Sequence, residues 1–171
     1  MDRDPFLLAI REAPEEVAPR LVYADWLDEN DEAAKAEYLR LVQAVAERDE
    51  NAPERRQLVK RLLRVAKTID VEWRDAAGAK FDVILEGWLG GAMFVFLRAV
   101  RWFTGAQGRG AMEPVDASHS VVLRSGMRRE EAEIFLYQVD RQRFRREPGA
   151  RQSYRIVPSK PKNLIADTQA T

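Results

Sequence analysis

Apolar residues recur at helical spacing through the first 77 positions of this 171-residue chain, and past Ala76-Ala77-Gly78 the spacing changes to short β-prone runs. A helical period packs on helices, whereas short runs rich in β-branched and aromatic residues suit a sheet. The chain is therefore expected to join a helical part to a part containing strands. Those runs are Phe81-Asp82-Val83-Ile84-Leu85, Val121-Val122-Leu123 and Tyr154-Arg155-Ile156-Val157. Helical stretches fall between them, at residues 93–103 and 129–141. The reading is α+β, with a β-α-α-β-α-β unit on a three-stranded sheet behind a head of three helices and a connector helix.

Within the head, Asp4 precedes Pro5 as a cap precedes a first-turn proline, and Phe6, Leu7 and Ile10 share a helical face until Pro14. Pro19 opens a second helix in which Leu21, Val22, Trp26 and Leu27 are expected to share a face, ending near Asn30. Asp31 caps a third helix with a stripe of Tyr38, Leu41, Val42 and Val45. Leu58, Leu62, Val65 and Ile69 continue at spacings of three and four, which predicts one long amphipathic connector with a basic outer face. The expected division is a head over 1–50, a connector over 51–79, an α+β domain over 80–159 and a tail over 160–171.

Charge is distributed unevenly. Residues 1–50 carry 14 acids against 6 bases, a net of −8, and the remainder carries +8, so the whole chain is neutral. An acidic head can be steered onto a basic partner or onto its own second half. With no cysteine, disulfides and thiolate metal sites are excluded, which accords with a reducing cytoplasmic location. The start lacks the basic segment and apolar run of a signal peptide. The most apolar run, residues 87–97, is far short of the roughly 20 residues that span a bilayer, so no membrane partner is expected.

Two stretches carry family resemblances. PFLLAIREAP at residues 5–14 and RLVYADWLDE at residues 20–29 resemble the repeat-companion domain of planctomycetes and myxobacteria, a module found at the start of varied proteins. That resemblance implies modularity and no particular chemistry. FDVIL at 81–85, LRAVR at 97–101 with Thr104-Gly105, SVV at 120–122, Gly126-Met127 and REEAE at 129–133 resemble the C-terminal domain of the ribosomal large-subunit stalk protein. This second resemblance implies the same β-α-α-β-α-β order and a module that recruits translational GTPases. Leu97, Arg98 and Arg101 match that family's factor-binding helix. Met93 and Met112 stand where it has lysine, Gly108 and Gly110 where it has leucine and glutamate, and Pro114 interrupts the second helix.

Projected at 100° per residue, the helix over 93–103 places Phe96, Ala99, Val100 and Phe103 toward a core. Phe94, Leu97, Arg98, Arg101 and Trp102 fall on the opposite side, and Trp88 in the preceding loop adds to them. Aromatic, leucine and arginine side chains on an outer face suit a partner surface, with an acidic protein or a second copy of the chain as occupant.

Catalytic inventories are thin. His119 is the single histidine, and Ser118 and Ser120 flank it too closely in an extended segment to form a nucleophile and base. Gly105-Ala106-Gln107-Gly108-Arg109-Gly110 lacks the Gly-Lys-Ser/Thr ending of a phosphate loop. No cofactor or metal site is expected. Arg141, Arg143, Arg145, Arg146, Arg151, Arg155, Lys160 and Lys162 face only Glu147, but Tyr154 is the sole aromatic in residues 147–162, which argues against a base-stacking platform. The sequence thus points to a non-enzymatic adaptor or regulatory protein, of the kind used in bacterial regulatory or defence systems. The alternatives are a translation-associated protein that contacts a GTPase or the ribosome, and a weak RNA binder.

Overall fold

The computed structural model describes residues 4–13, 16–49, 52–88, 121–143 and 152–159. Among these, six helices and one three-stranded antiparallel sheet form an α+β fold: α1 Pro5–Glu12, α2 Ala18–Glu29, α3 Ala33–Glu47, α4 Pro53–Ala66, α5 Val71–Ala77, β1 Lys80–Trp88, β2 Val121–Arg128, α6 Arg129–Arg143 and β3 Gln152–Pro158.

Local chemistry sets most of these boundaries. Asp4 Oδ1 accepts the Phe6 amide at 2.9 Å and Pro5 fills the first turn, so α1 starts as its sequence predicts. At the end of α2, Asp31 adopts φ 63° and the Glu32 amide donates to Leu27 O at 2.9 Å. This is a left-handed closing turn, so Asp31 ends α2 and does not cap α3. The expected connector is two helices. Asp70 Oδ1 accepts the amides of Glu72 and Trp73 at 2.8 and 3.0 Å and starts α5 afresh, four residues after α4 has stopped at Ala66.

The buried face of α2 also differs from the one that spacing groups together. Arg20, Tyr23, Ala24 and Leu27 are buried, whereas Leu21, Val22 and Trp26 are exposed. This helix carries apolar residues on two stripes, and the one with the small Ala24 and a bondable phenol faces inward. The α3 stripe of Tyr38, Leu41, Val42 and Val45 is buried as its spacing requires.

In the sheet β1 is central, with β2 and β3 antiparallel on either side. Between the pairs Phe81 with Met127 and Val83 with Arg124, Asp82 opposes two residues, which is a β-bulge. Gly126 takes φ 69° there, and its amide donates to Asp82 Oδ1 at 2.9 Å. Ser159 Oγ donates to the same carboxylate, so this knot joins β1, β2 and the residue just past β3. Helix α6 covers one face of the sheet through Ala132 and Phe135. One continuous apolar cluster runs from Leu7 and Ile10 through Tyr38, Leu62 and Trp73 to Phe81, Val83, Leu123 and Phe135.

Candidate functional site

Of the residues expected to form the partner surface, only Trp88 is among the described residues. Trp88 is the last residue of β1, paired with Gln152, and not part of a loop. Phe94, Leu97, Arg98, Arg101 and Trp102 lie outside the described residues, as do His119 and the glycine-rich turn at 105–110.

Two clusters within the described residues combine charge with burial or concavity. The first joins α4, α5, β2 and α6. Glu133 accepts from Arg55 at 2.5 Å and from Arg129 Nε at 2.9 Å. Glu130 accepts from Arg74 and from the Tyr38 hydroxyl, the latter at 2.9 Å. Arg128 pairs with Glu131 and with Asp75, the latter at 2.8 Å. Burial raises the Tyr38 phenol far above its ordinary value, and the charge of Glu130 adds to the effect. Burial also works on Asp75, but the hydrogen bond and charge of Lys80, with the charge of Arg128, hold its carboxyl below the ordinary value. Every carboxylate in this cluster is bound to a cation on a neighbouring element, and Glu130 and Glu133 line neither of the two depressions described below. It is a polar seam that fixes α6 against the helices.

The second cluster is on the head. A depression of about 440 Å³ is lined by Asp4, Leu7, Tyr23, Trp26, Leu27, Asn30, Glu32, Lys35 and Trp73. Its walls come from the cap of α1, from α2, from the start of α3 and from α5. Phe6 stacks on Tyr23 with centroids 5.0 Å apart, Trp26 lies 5.3 Å from Phe6, and Trp73 lies 6.1 Å from Tyr23. The Tyr23 hydroxyl donates to Asp4 Oδ2 at 2.8 Å. The Tyr23 phenol is pushed up to about 12, first by burial and further by the Asp4 hydrogen bond and the charges of Asp4 and Glu32, against the opposing Trp73 contact. Lys35 Nζ rests 5.6 Å from the Trp73 centroid and 2.9 Å from Glu32 Oε1.

Sequence reasoning missed this depression. It grouped Trp26 with Leu21, Val22 and Leu27 and gave Trp73 no role, because Trp73 sits past an unrecognised helix break. The available signal was the Tyr23, Trp26 spacing, which puts two rings on one helical face beside the Asp4 cap.

A third feature is a groove of about 460 Å³ between the head and the first residues of the sheet. Ile10, Val17, Leu21, Val42, Phe81 and Pro158 are among its lining.

Searches of protein-family models, curated proteins and solved structures find no match to this chain. Among the described residues no helix is long and apolar enough to cross a membrane, and no three His, Cys, Asp or Glu side chains are grouped to hold a metal ion.

Proposed function

We propose that this protein is a non-enzymatic adaptor or regulatory protein that works by contact with another protein, and that its helical head presents a contact surface. One observation carries the reading. Of the nine large apolar side chains exposed among the described residues, five (Leu8, Val17, Leu21, Val22 and Trp26) lie on α1, on α2 or at the residue that caps α2. Val22 and Trp26 are one helical turn apart and 57% and 41% exposed, and exposed Asp25 and Glu29 stand beside them. Apolar side chains concentrated on two adjoining helices and flanked by carboxylates suit a partner with an apolar and basic surface. The outer face expected around Phe94, Leu97, Arg98, Arg101 and Trp102 is a second contact surface in the same proposal, and a cytoplasmic setting goes with it.

A second reading, contact with a translational GTPase or the ribosome, draws on the stalk-like motifs. The observed succession β1, β2, α6, β3 is compatible with the order those motifs imply.

The test is quantitative affinity capture from the native cell with the full chain and with a Leu8→Asp, Val22→Asp double variant. Both positions are at least half exposed, so the melting temperature should stay within a few degrees of wild type. Loss of a specific captured protein from the variant alone is expected. An identical captured set from both proteins would refute the assignment of the head face.

A further inference from the structure

The aromatic depression on the head already holds a cation of its own. Lys35 Nζ lies within the roughly 6 Å over which a ring face attracts an ammonium, and it is paired with Glu32. That lysine is not locked in place. Its side chain retains 28% of its exposure and Glu32 retains 48%, so the pair is a surface ion pair of the weak, exchangeable kind. Around it, Tyr23 and Trp26 line the depression together with Trp73, whose ring face Lys35 overlies, and Asp4 and Glu32 supply negative charge from two different elements. About 440 Å³ stays open beside Lys35, and Trp26 keeps 41% of its surface in water at its edge. Ring faces with carboxylates behind them are a site for an organic cation.

Resting on the reading of the head as a contact surface, we infer that this depression receives a lysine or arginine side chain from a partner protein, and that Lys35 is the internal occupant it displaces. The site is then self-screened: without a partner Lys35 covers the Trp73 face, and a basic side chain must compete with it. Removing Lys35 should strengthen binding, whereas removing Glu32 should weaken it.

The experiment follows the indole N–H resonances of Trp26 and Trp73 in the full chain, assigned through Trp26→Phe and Trp73→Phe. Three capped tripeptides are titrated, with arginine, lysine or the neutral isostere citrulline between two glycines, and tetramethylammonium is a fourth probe. Saturable shifts of both indoles with a cationic tripeptide and none with citrulline are expected. Lys35→Ala should tighten binding by about twofold to fivefold, the range of one exposed cation–ring contact. Lys60→Ala, which removes the same charge from α4 away from the depression, should leave it unchanged. Silence of both indoles with both cationic peptides, equal shifts with citrulline, or equal tightening by Lys60→Ala would overturn the proposal. Tetramethylammonium binding tighter than both peptides would overturn the side-chain occupant in favour of a free quaternary amine. Silent indoles beside a capture that depends on Leu8 and Val22 would remove the pocket and leave the contact surface standing.

Discussion

Glu133 holds two guanidiniums, those of Arg55 and Arg129, in a place where all three residues are buried. A buried pair adds little net stability compared with apolar residues of the same shape, yet removing one partner strands the other. Glu133→Ala should therefore cost about 3–5 kcal/mol in urea unfolding. Arg55→Met with Glu133→Leu should cost much less than the sum of its single variants, and an additive result would mean that the seam is not coupled. Tyr38 belongs to the neighbouring pair, with its hydroxyl on Glu130, and Tyr23 is the phenol above the head depression. Both phenols are raised, Tyr23 to about 12, so the folded state keeps protons that the unfolded chain releases near the ordinary value of 10. A raised group adds stability that is complete below its unfolded value and is lost as pH climbs toward the folded one. Stability should thus fall between pH 10 and about 12, measured by denaturant midpoints across that window. Phenolate absorbance should show Tyr23 and Tyr38 ionising late or only with unfolding. Early ionisation of all four tyrosines in the folded protein would contradict the assignment.

Among the elements, α2 separates what spacing reveals from what only packing decides. Its apolar residues occupy two stripes, and the tertiary structure buries Tyr23, Ala24 and Leu27 while Val22 stays 57% exposed. Leu27→Ala should accordingly cost about 2–5 kcal/mol, and Val22→Ser should stay within about 0.5 kcal/mol of wild type. Comparable losses from both, read from thermal and urea unfolding, would restore the stripe that spacing favoured. Much of the remaining fold was legible because its signals are local. The Asp4-Pro5 start of α1, the α3 stripe and the three β-prone runs all fall where the spacing places them. The break between α4 and α5 was hidden because Leu58, Leu62, Val65 and Ile69 keep helical spacing through it, and Ile69 remains buried in the link. Glu130 and Glu131 stand in the first turn of α6, where acids favour a helix start. Their partners Arg74, Arg128 and Tyr38 come from distant positions that no local pattern connects. The head depression was hidden for the same reason, since α5 supplies one of its walls and Asp4 another.

For the whole molecule, the question is whether the acidic head and the sheet fold as one unit. Charge suggested that they attract each other across the −8 and +8 division, but the seam runs otherwise. Its acids Glu130, Glu131 and Glu133 and its bases Arg55, Arg74 and Arg128 all belong to the second stretch of chain. The head joins mainly through apolar burial, the Tyr38 hydroxyl and the Arg129 bond to Val45 O, with Arg61 and Glu37 as a more exposed ion pair across the division. Trp73 packs edge-on to Tyr38 and tilted to Tyr23, and Gly78 lies so near that a Cβ there would sit 2.6 Å from Arg74 O and 3.3 Å from the Tyr38 hydroxyl. Helix α5 thus touches the head on one side and leads straight into β1 on the other. A shared core of this kind predicts one cooperative transition for the described elements. Hydrogen exchange in mild denaturant should give α2, α3, β1 and α6 amides the same limiting opening free energy. Gly78→Ala, which forces that backbone apart, should lower the protection of all four elements together. If it loosens β1 and α6 while α2 and α3 keep their full protection, the head has a core of its own and the chain is two cooperative units joined at α5.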